Sequence, residues 1–111
     1  MREPTFLVLT ALAAGPQHGY AVIEDVATMT GGRVKLRAGT LYAALDRLRG
    51  DGLIEVDREE IVQSRLRRYY RLSASGAQAL ATESARLREQ AAIAEKRLRA
   101  RGVSGVVAPV T

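Results

Sequence analysis

The stretch GTLYAALDRLRGDGLIE, residues 39–55, decides the fold of this chain. Its leucines recur at the spacing that places side chains on one face of an α-helix: Leu41, Leu45 and Leu48. They predict a helix over residues 39–50 that is anchored to a core through this face. The glycines of Gly50–Gly52 predict the end of that helix, and the apolar residues after them predict a strand. Polar and small residues occupy the other faces, so one side of a firmly held helix is left free for contacts.

The segments around this helix complete a small domain. The predicted elements are helices at about residues 4–14 and 18–30, an extended connection over 33–37, and strands over 53–58 and 65–72 on either side of a polar tip. The order of three helices followed by a hairpin is that of a winged helix-turn-helix. We therefore predict a mainly α fold with a small antiparallel β-hairpin, and a first domain over residues 1–72.

A long helix follows from Ser73, a residue type that favours a helix N-cap. Its small and apolar residues alternate at spacings of three and four, as in the seam of a coiled coil: Ala77, Leu80, Ser84, Leu87, Ala91, Ala94 and Leu98. This pattern predicts a dimerisation helix over residues 73–101, because a helix of this length overshoots so small a domain. The alternative is that the seam covers its own domain. Residues 102–111 have no period and predict a mobile tail.

The composition excludes several classes of site. The 111 residues include no cysteine and one histidine, which excludes thiolate sites and leaves a metal or a catalytic triad without the usual partners. No carboxylate pair, Ser/His/Asp set or phosphate-cradling glycine loop indicates an enzyme, and we expect neither cofactor nor metal. No apolar run approaches the roughly 20 residues of a membrane span, so a cytoplasmic protein is expected.

Positive charge is concentrated in the middle of the chain. The net charge is +5, and residues 33–71 hold ten Lys/Arg against six Asp/Glu. A cationic surface of this kind suits a phosphate backbone, although it is also compatible with a solvated face that has no partner. The connection over 33–37 contributes Arg33, Lys35 and Arg37, and the second strand places arginines on one face of the hairpin.

In a helix-turn-helix, the second helix of the pair enters the major groove of DNA. The predicted helix over 39–50 takes that position, and its outer residues are Thr40, Tyr42, Ala43 and Arg47. An arginine can pair with two acceptors of guanine, whereas the shorter donors suit a phosphate or a thymine methyl. A module that binds another protein through the same surface is the alternative function.

Three motifs resemble the PadR family of bacterial winged-helix transcriptional regulators. They are HGYAVIEDV (18–26), AGTLYAALDRLRGDGLIE (38–55) and RRYYRLSASGAQAL (67–80), in the order and spacing of the family. The resemblance covers about residues 5–100. It implies a repressor that binds a palindromic DNA operator as a homodimer and that releases it on binding a small aromatic or drug-like effector.

The resemblance also implies roles for particular residues. The DNA contacts would come from Thr40 and Tyr42 in the third helix, His18, Gly19 and Tyr20 at the start of the second helix, and Arg65, Arg67 and Arg68 in the hairpin. The dimer interface would include Phe6 of the first helix and, in the long helix, Leu80, Leu87, Ala91, Ala94 and Leu98. Tyr20 has an alternative interpretation as a packing residue between elements.

Overall fold

The computed structural model describes residues 1–103 and confirms the winged helix-turn-helix with a long C-terminal helix. Its elements in chain order are α1 (Glu3–Ala13), β1 (Gln17–His18), α2 (Gly19–Met29), α3 (Ala38–Gly50), β2 (Ile54–Val62), β3 (Arg65–Leu72) and α4 (Ala74–Ala100). The chain forms two compact units, one over Met1–Leu80 and one that begins at Ala81. The predicted tail falls mostly on residues 104–111, which lie outside the described residues.

The core of the first unit is aliphatic and is built on the leucine stripe of α3. The buried side chains are Val8, Leu9, Ala11, Leu12, Val22, Val26, Leu41, Leu45, Leu48, Ile54 and Tyr70. Burying each large aliphatic side chain contributes about 1.5–3 kcal/mol, so the stripe fixes α3 against α1 and α2. The opposite side of α3 stays in solvent, as the sequence predicted.

The end of α3 follows from a single glycine. Gly52 has φ +74°, a left-handed conformation that costs an L side chain energy. This turn lets the Leu53 amide donate back to the Leu48 carbonyl at 3.0 Å, which caps the free carbonyls at the end of the helix. The chain therefore passes from α3 into β2 with almost no loop.

The sheet differs from the predicted two-stranded hairpin in two ways. It has three antiparallel strands in the order β1-β3-β2, because β1 pairs with the free edge of β3 through Gln17↔Tyr70 and His18↔Tyr69. The sequence assigned His18 to a helix, but a strand of two residues has no alternation by which to detect it. The strand β2 also extends to Val62 rather than ending at Arg58, with a bulge between Val56 and Arg58.

The long helix α4 starts on a polar cap, as predicted. The Ser73 hydroxyl accepts from the Gly76 amide at 3.0 Å and donates to the Gly52 carbonyl at 2.7 Å. Gly76 lies so close to β2 that a Cβ there would be 1.9 Å from the Leu53 carbonyl oxygen. The first turns of α4 are thus part of the first unit.

Beyond Ala81, α4 is a separate unit with exposed apolar side chains. Leu87, Ile93 and Leu98 are each 40 % or more exposed. An ion pair between Glu83 and Arg86 lies along the helix, with Nη2 donating to Oε2 at 2.9 Å. None of the helices within residues 1–103 combines the length and the apolar character of a membrane span.

Candidate nucleic-acid interface

A groove opens between the start of α2, the first turns of α3 and the end of the β2–β3 hairpin, which we call the wing. Its volume is about 260 Å³. The lining residues are His18, Gly19, Tyr20, Tyr42, Val62, Gln63, Arg65, Leu66, Arg67 and Arg68. Seven of these ten were predicted as DNA-contacting residues, so the fold brings together side chains from three elements that are distant in sequence.

The sequence analysis missed three residues of the groove, all at the tip of the wing. Val62 and Gln63 were not predicted because residues 59–64 were interpreted as a polar tip rather than as strand. Leu66 was placed in the strand over 65–72 but was not predicted to contact DNA. Glu60, Ile61 and Val62 do not alternate between polar and apolar residues, so they do not indicate a strand by themselves. The strand extends to the tip because Ile61 and Val62 pair with Leu66 and Arg65 across the hairpin.

His18 closes one end of the groove as the N-cap of α2. Its Nδ1 accepts a hydrogen bond from the Ala21 amide at 3.3 Å, so the proton of the neutral ring is on Nε2. Partial burial lowers the pKa of His18 and the charge of Arg67 lowers it further, which keeps the ring neutral at pH 7. The ring meets Tyr69 edge-on, with centroids 5.4 Å apart.

Gly19 and Tyr42 make the contact between the two helices of the helix-turn-helix. Gly19 is the buried first residue of α2, and a Cβ there would be 2.6 Å from the Tyr42 hydroxyl oxygen. The phenol ring of Tyr42 therefore packs against the backbone of Gly19, and Tyr42 remains 42 % exposed. Burial, with smaller effects from Tyr20 and Tyr70, raises the pKa of Tyr42, so its hydroxyl keeps its proton and can donate.

The start of α3 presents backbone donors beside this tyrosine. Arg37 is the N-cap and makes no side-chain capping bond. The amides of the first turn point along the helix axis toward solvent, where the helix dipole favours an anion. Thr40 and Ala43 are exposed on the same helix, and Tyr20 is 64 % exposed, which favours contact over internal packing for that tyrosine.

The basic connection between α2 and α3 has only part of its charge free for contact with a partner. Arg33 forms an ion pair with Glu3 of α1, and this hydrogen bond raises the pKa of Arg33. Lys35 and Arg37 are exposed, while Val34 and Leu36 pack against the core. The predicted alternation of the connection is thus confirmed, with its apolar residues inward.

Arg47 lies outside the groove, in the last turn of α3. Its Nη2 donates to the Thr5 hydroxyl of α1 at 3.1 Å. It lines a shallow surface depression with Thr5, Leu48 and Asp51 instead of the groove. A base contact by Arg47 would require this hydrogen bond to open.

Acidic residues neutralise the base of the wing. Across the hairpin Arg71 donates to Glu55 at 2.8 Å, and Arg68 to Glu59 at 3.3 Å. Within β2, Arg58 donates to Glu60 at 2.9 Å. These exposed pairs contribute little stability, but they compensate two of the four arginines of β3, Arg68 and Arg71.

The tip of the wing keeps its positive charge. Arg65 and Arg67 form no ion pair with any residue between 1 and 103. The guanidinium of Arg58 lies over the face of the Tyr69 ring, with its Cζ atom 3.9 Å from the ring centroid. The positive field of the wing is therefore concentrated at the tip, next to the groove.

The residues predicted for a dimer interface have different surroundings. Leu80 packs partly against the core of the first unit, and Phe6 is half-buried in α1. On α4, Leu87, Ala91, Ala94 and Leu98 are exposed and repeat at the predicted spacings. The exposed part of the seam thus begins in the second unit.

Comparison with known proteins identifies the family. The family described as "Transcriptional regulator PadR-like family" matches residues 8–82. A transcriptional regulator from Clostridium thermocellum has the same fold at a TM-score of 0.73, with 22 % identity over 83 % of this chain and 89 % of its own. A PadR family regulator from Eggerthella lenta is 27 % identical at a TM-score of 0.71, over 86 % of this chain and 83 % of its own.

Bacillus subtilis PadR, crystallised in complex with operator DNA, is 25 % identical at a TM-score of 0.66. The match covers 74 % of this chain and 46 % of that protein, so this chain corresponds to about half of its length. No curated protein sequence matches the chain. The family consists of regulators rather than enzymes, and the match over most of the first unit shows that this chain belongs to the PadR-like family of transcriptional regulators.

Proposed function

We propose that this chain is a sequence-specific DNA-binding regulator that acts as a homodimer on a palindromic operator and represses the genes beside it. The observation that carries the proposal is the groove, where the start of α2, Tyr42 of α3 and the uncompensated arginines of the wing tip converge. The start of α3, which has no side-chain cap, supplies free backbone amides in addition. The crystallisation of Bacillus subtilis PadR with operator DNA supports DNA as the partner. The proposal places the protein in the cytoplasm, where its operator is.

Each element has a distinct role in this proposal. The start of α3 enters the major groove, where Thr40 and Ala43 reach base edges and the backbone amides hold a phosphate. Tyr42 and His18 position the helix pair beside the DNA backbone. Arg65 and Arg67 of the wing tip neutralise phosphates, which increases affinity for any sequence equally.

The homodimer would form through α4. Leu87 and Leu98 expose apolar surface on the predicted seam, and the alanines between them allow two helices to approach closely. Two copies would place two α3 helices on half-sites about 34–36 Å apart or a multiple of this distance. Release by a small aromatic or drug-like effector stays a prediction from the family resemblance.

The test begins with selection of bound duplexes from a random-sequence library, which yields the operator and its half-site spacing. Affinity for the selected duplex is then measured by fluorescence anisotropy as a function of salt. Each phosphate neutralised contributes about 0.9 to the log–log slope, so Arg67→Ala should lower the slope by about 1.8 in a homodimer. Arg88→Ala on exposed α4 is the matched control, because it removes the same charge at a residue that does not line the groove.

Two results would refute the proposal. If no duplex is enriched by the selection, the same surface serves instead as a protein-binding module. A slope that does not change on Arg67→Ala would show that the wing tip does not contact phosphates. Light scattering of the free protein tests the dimer independently of DNA.

A further inference from the structure

The strand β3 keeps a free edge over its first half. The strand β1 pairs only with Tyr69 and Tyr70, and within residues 1–103 no other strand lies on that side of β3. Continuing the antiparallel register of β1 would place four further positions opposite Arg68 to Arg65, but the chain turns into α2 at Gly19 instead. The backbone amides and carbonyls that point out of this edge therefore have no strand to pair with.

The groove described above follows this edge. Consecutive residues of a strand point to opposite faces of the sheet, yet all four residues from Arg65 to Arg68 line the groove. A groove that contacts four residues in a row runs beside the edge of the strand rather than over one face. Its lining also includes Tyr20 and Tyr42, both exposed, so the space next to the edge is open to an incoming chain.

The side chains along this edge indicate which kind of strand fits it. Arg65 and Arg67 share one face of β3 and form no ion pair with any residue between 1 and 103. Leu66 lies on the other face and is 60 % exposed. Side chains directly opposite each other on adjacent strands attract when they are apolar or oppositely charged, and like charges there are unfavourable. The edge therefore matches a strand with a carboxylate opposite each arginine and an apolar residue between them, opposite Leu66.

We propose that the free edge of β3 binds an extended acidic segment of a partner protein, which adds to the sheet as a fourth strand. The segment lies antiparallel to β3, where β1 would continue, with its acidic–apolar–acidic pattern opposite Arg67, Leu66 and Arg65 in that order. Main-chain hydrogen bonds hold the segment and the two carboxylates give the specificity. Because the segment occupies the groove of the proposed DNA interface, it should also displace the operator, and only this competition rests on the proposed function.

The arginines and the hairpin turn restrict what the edge accepts. Charged side chains on an edge keep identical edges from pairing, so Arg65 and Arg67 repel a second copy of the same edge while attracting a strand of opposite charge. The turn at Gln63 and Ser64, with φ of +51° and +64°, ends the edge at its far side. About four residues can therefore be added, a length of roughly 13 Å.

The probe is a fluorescein-labelled synthetic peptide with the central residues Thr-Glu-Val-Glu, whose binding to the full chain is measured by fluorescence anisotropy. The peptide should bind, and a peptide with lysine in place of both glutamates should not. Alternate amides of a strand face the same neighbour, so N-methylation of either the valine or the glutamate after it should weaken binding at least about tenfold, while N-methylation of the other should have little effect.

A charge exchange tests the register. The variant Arg67→Glu should lose the peptide and recover binding to Thr-Lys-Val-Glu, which places lysine opposite position 67. Arg88→Glu on exposed α4 is the matched control, because Arg88 does not line the groove, and it should bind the first peptide as wild type does. Circular dichroism checks the fold of both variants. The peptide modifications on the wild-type chain keep the test decisive should Arg67→Glu not fold.

The outcomes separate strand addition from the other uses of this edge. Equal binding of the unmodified peptide and both N-methylated peptides would show charge attraction without strand pairing, and would overturn the inference. Self-association beyond a dimer on light scattering that Arg67→Glu abolishes would assign the edge to a second copy instead. Unlabelled peptide should displace the selected duplex, and a bound peptide that leaves the duplex in place would refute the shared groove. If the duplex binds and the peptide does not, the inference fails while DNA binding stands; peptide binding without an enriched duplex gives the reverse.

Discussion

The contact between Gly19 and Tyr42 predicts that the smallest possible substitution at Gly19 destabilises the protein. A Cβ at this position would lie 2.6 Å from the Tyr42 hydroxyl oxygen and 2.9 Å from Cζ, whereas ordinary contact begins at 3.4 Å. In Gly19→Ala the phenol ring must therefore move by about 0.8 Å or α2 must shift away from α3. Overpacking of this kind costs about 1–3 kcal/mol, offset in part by the better helix propensity of alanine, up to about 1 kcal/mol. The expected net loss in the free energy of unfolding is about 1 kcal/mol.

A double-mutant cycle in urea unfolding, at one fixed protein concentration, isolates this contact. In the Tyr42→Ala background the clash is absent, so Gly19→Ala should be neutral or slightly stabilising. Gly39→Ala is the matched control, because Gly39 occupies the corresponding start of α3 and a Cβ there would meet nothing within 4 Å. It should stabilise by up to about 1 kcal/mol. Equal losses for Gly19→Ala in both backgrounds would refute the steric argument.

Three further substitutions test other parts of the structure. Gly76→Ala places a methyl group 1.9 Å from the Leu53 carbonyl oxygen, so we expect a loss of about 3 kcal/mol in urea unfolding, and a wild-type midpoint would contradict that close approach. The pKa of His18 is lower in the folded protein than in the unfolded chain. As the pH drops below 6.5, the unfolded chain therefore binds a proton at this histidine before the folded protein does. The free energy of unfolding of the wild type should fall by up to about 1 kcal/mol. His18→Asn keeps a capping acceptor that does not titrate and should flatten this dependence in thermal unfolding across the same pH range. If the bond from Arg47 to Thr5 opens in the complex and the guanidinium pairs with a guanine, Arg47→Ala should cost about 1–3 kcal/mol of binding on the selected duplex but not on random DNA, whereas equal losses on both would refute a base contact.

The helices α2, α3 and α4 were predictable because each carries its own periodic signal. The helix α1 was predictable from its dense apolar run and from the Gly15–Pro16 stop after it. The leucine stripe of α3 and the left-handed Gly52 after it depend on neighbours within a few residues, and the N-cap at Ser73 is equally local. The groove was predictable in part because Tyr42 lies off the leucine stripe of α3. The residues at the start of α2 were predicted from the family resemblance instead. Whether those residues contact DNA stays a prediction.

The parts that were not predictable depend on pairing between distant segments. The strand β1 exists only because the edge of β3 is free to pair with it. The length of β2 and the neutral base of the wing depend on the hairpin register, which sets Glu55 and Glu59 opposite Arg71 and Arg68. A count of charges along β3 alone could not show that its positive field survives only at the tip.

The strand β1 has a consequence for the thermodynamics of association. Because His18 both pairs with β3 and caps α2, the wing and the helix pair are tied together as one body before any partner arrives. Loops that become ordered on binding lose conformational entropy at that moment, and affinity falls accordingly. In this protein the orientation of the wing relative to α2 is already fixed during folding. The first unit should therefore dock onto DNA largely as a rigid body, with most of the structural adjustment made by the duplex.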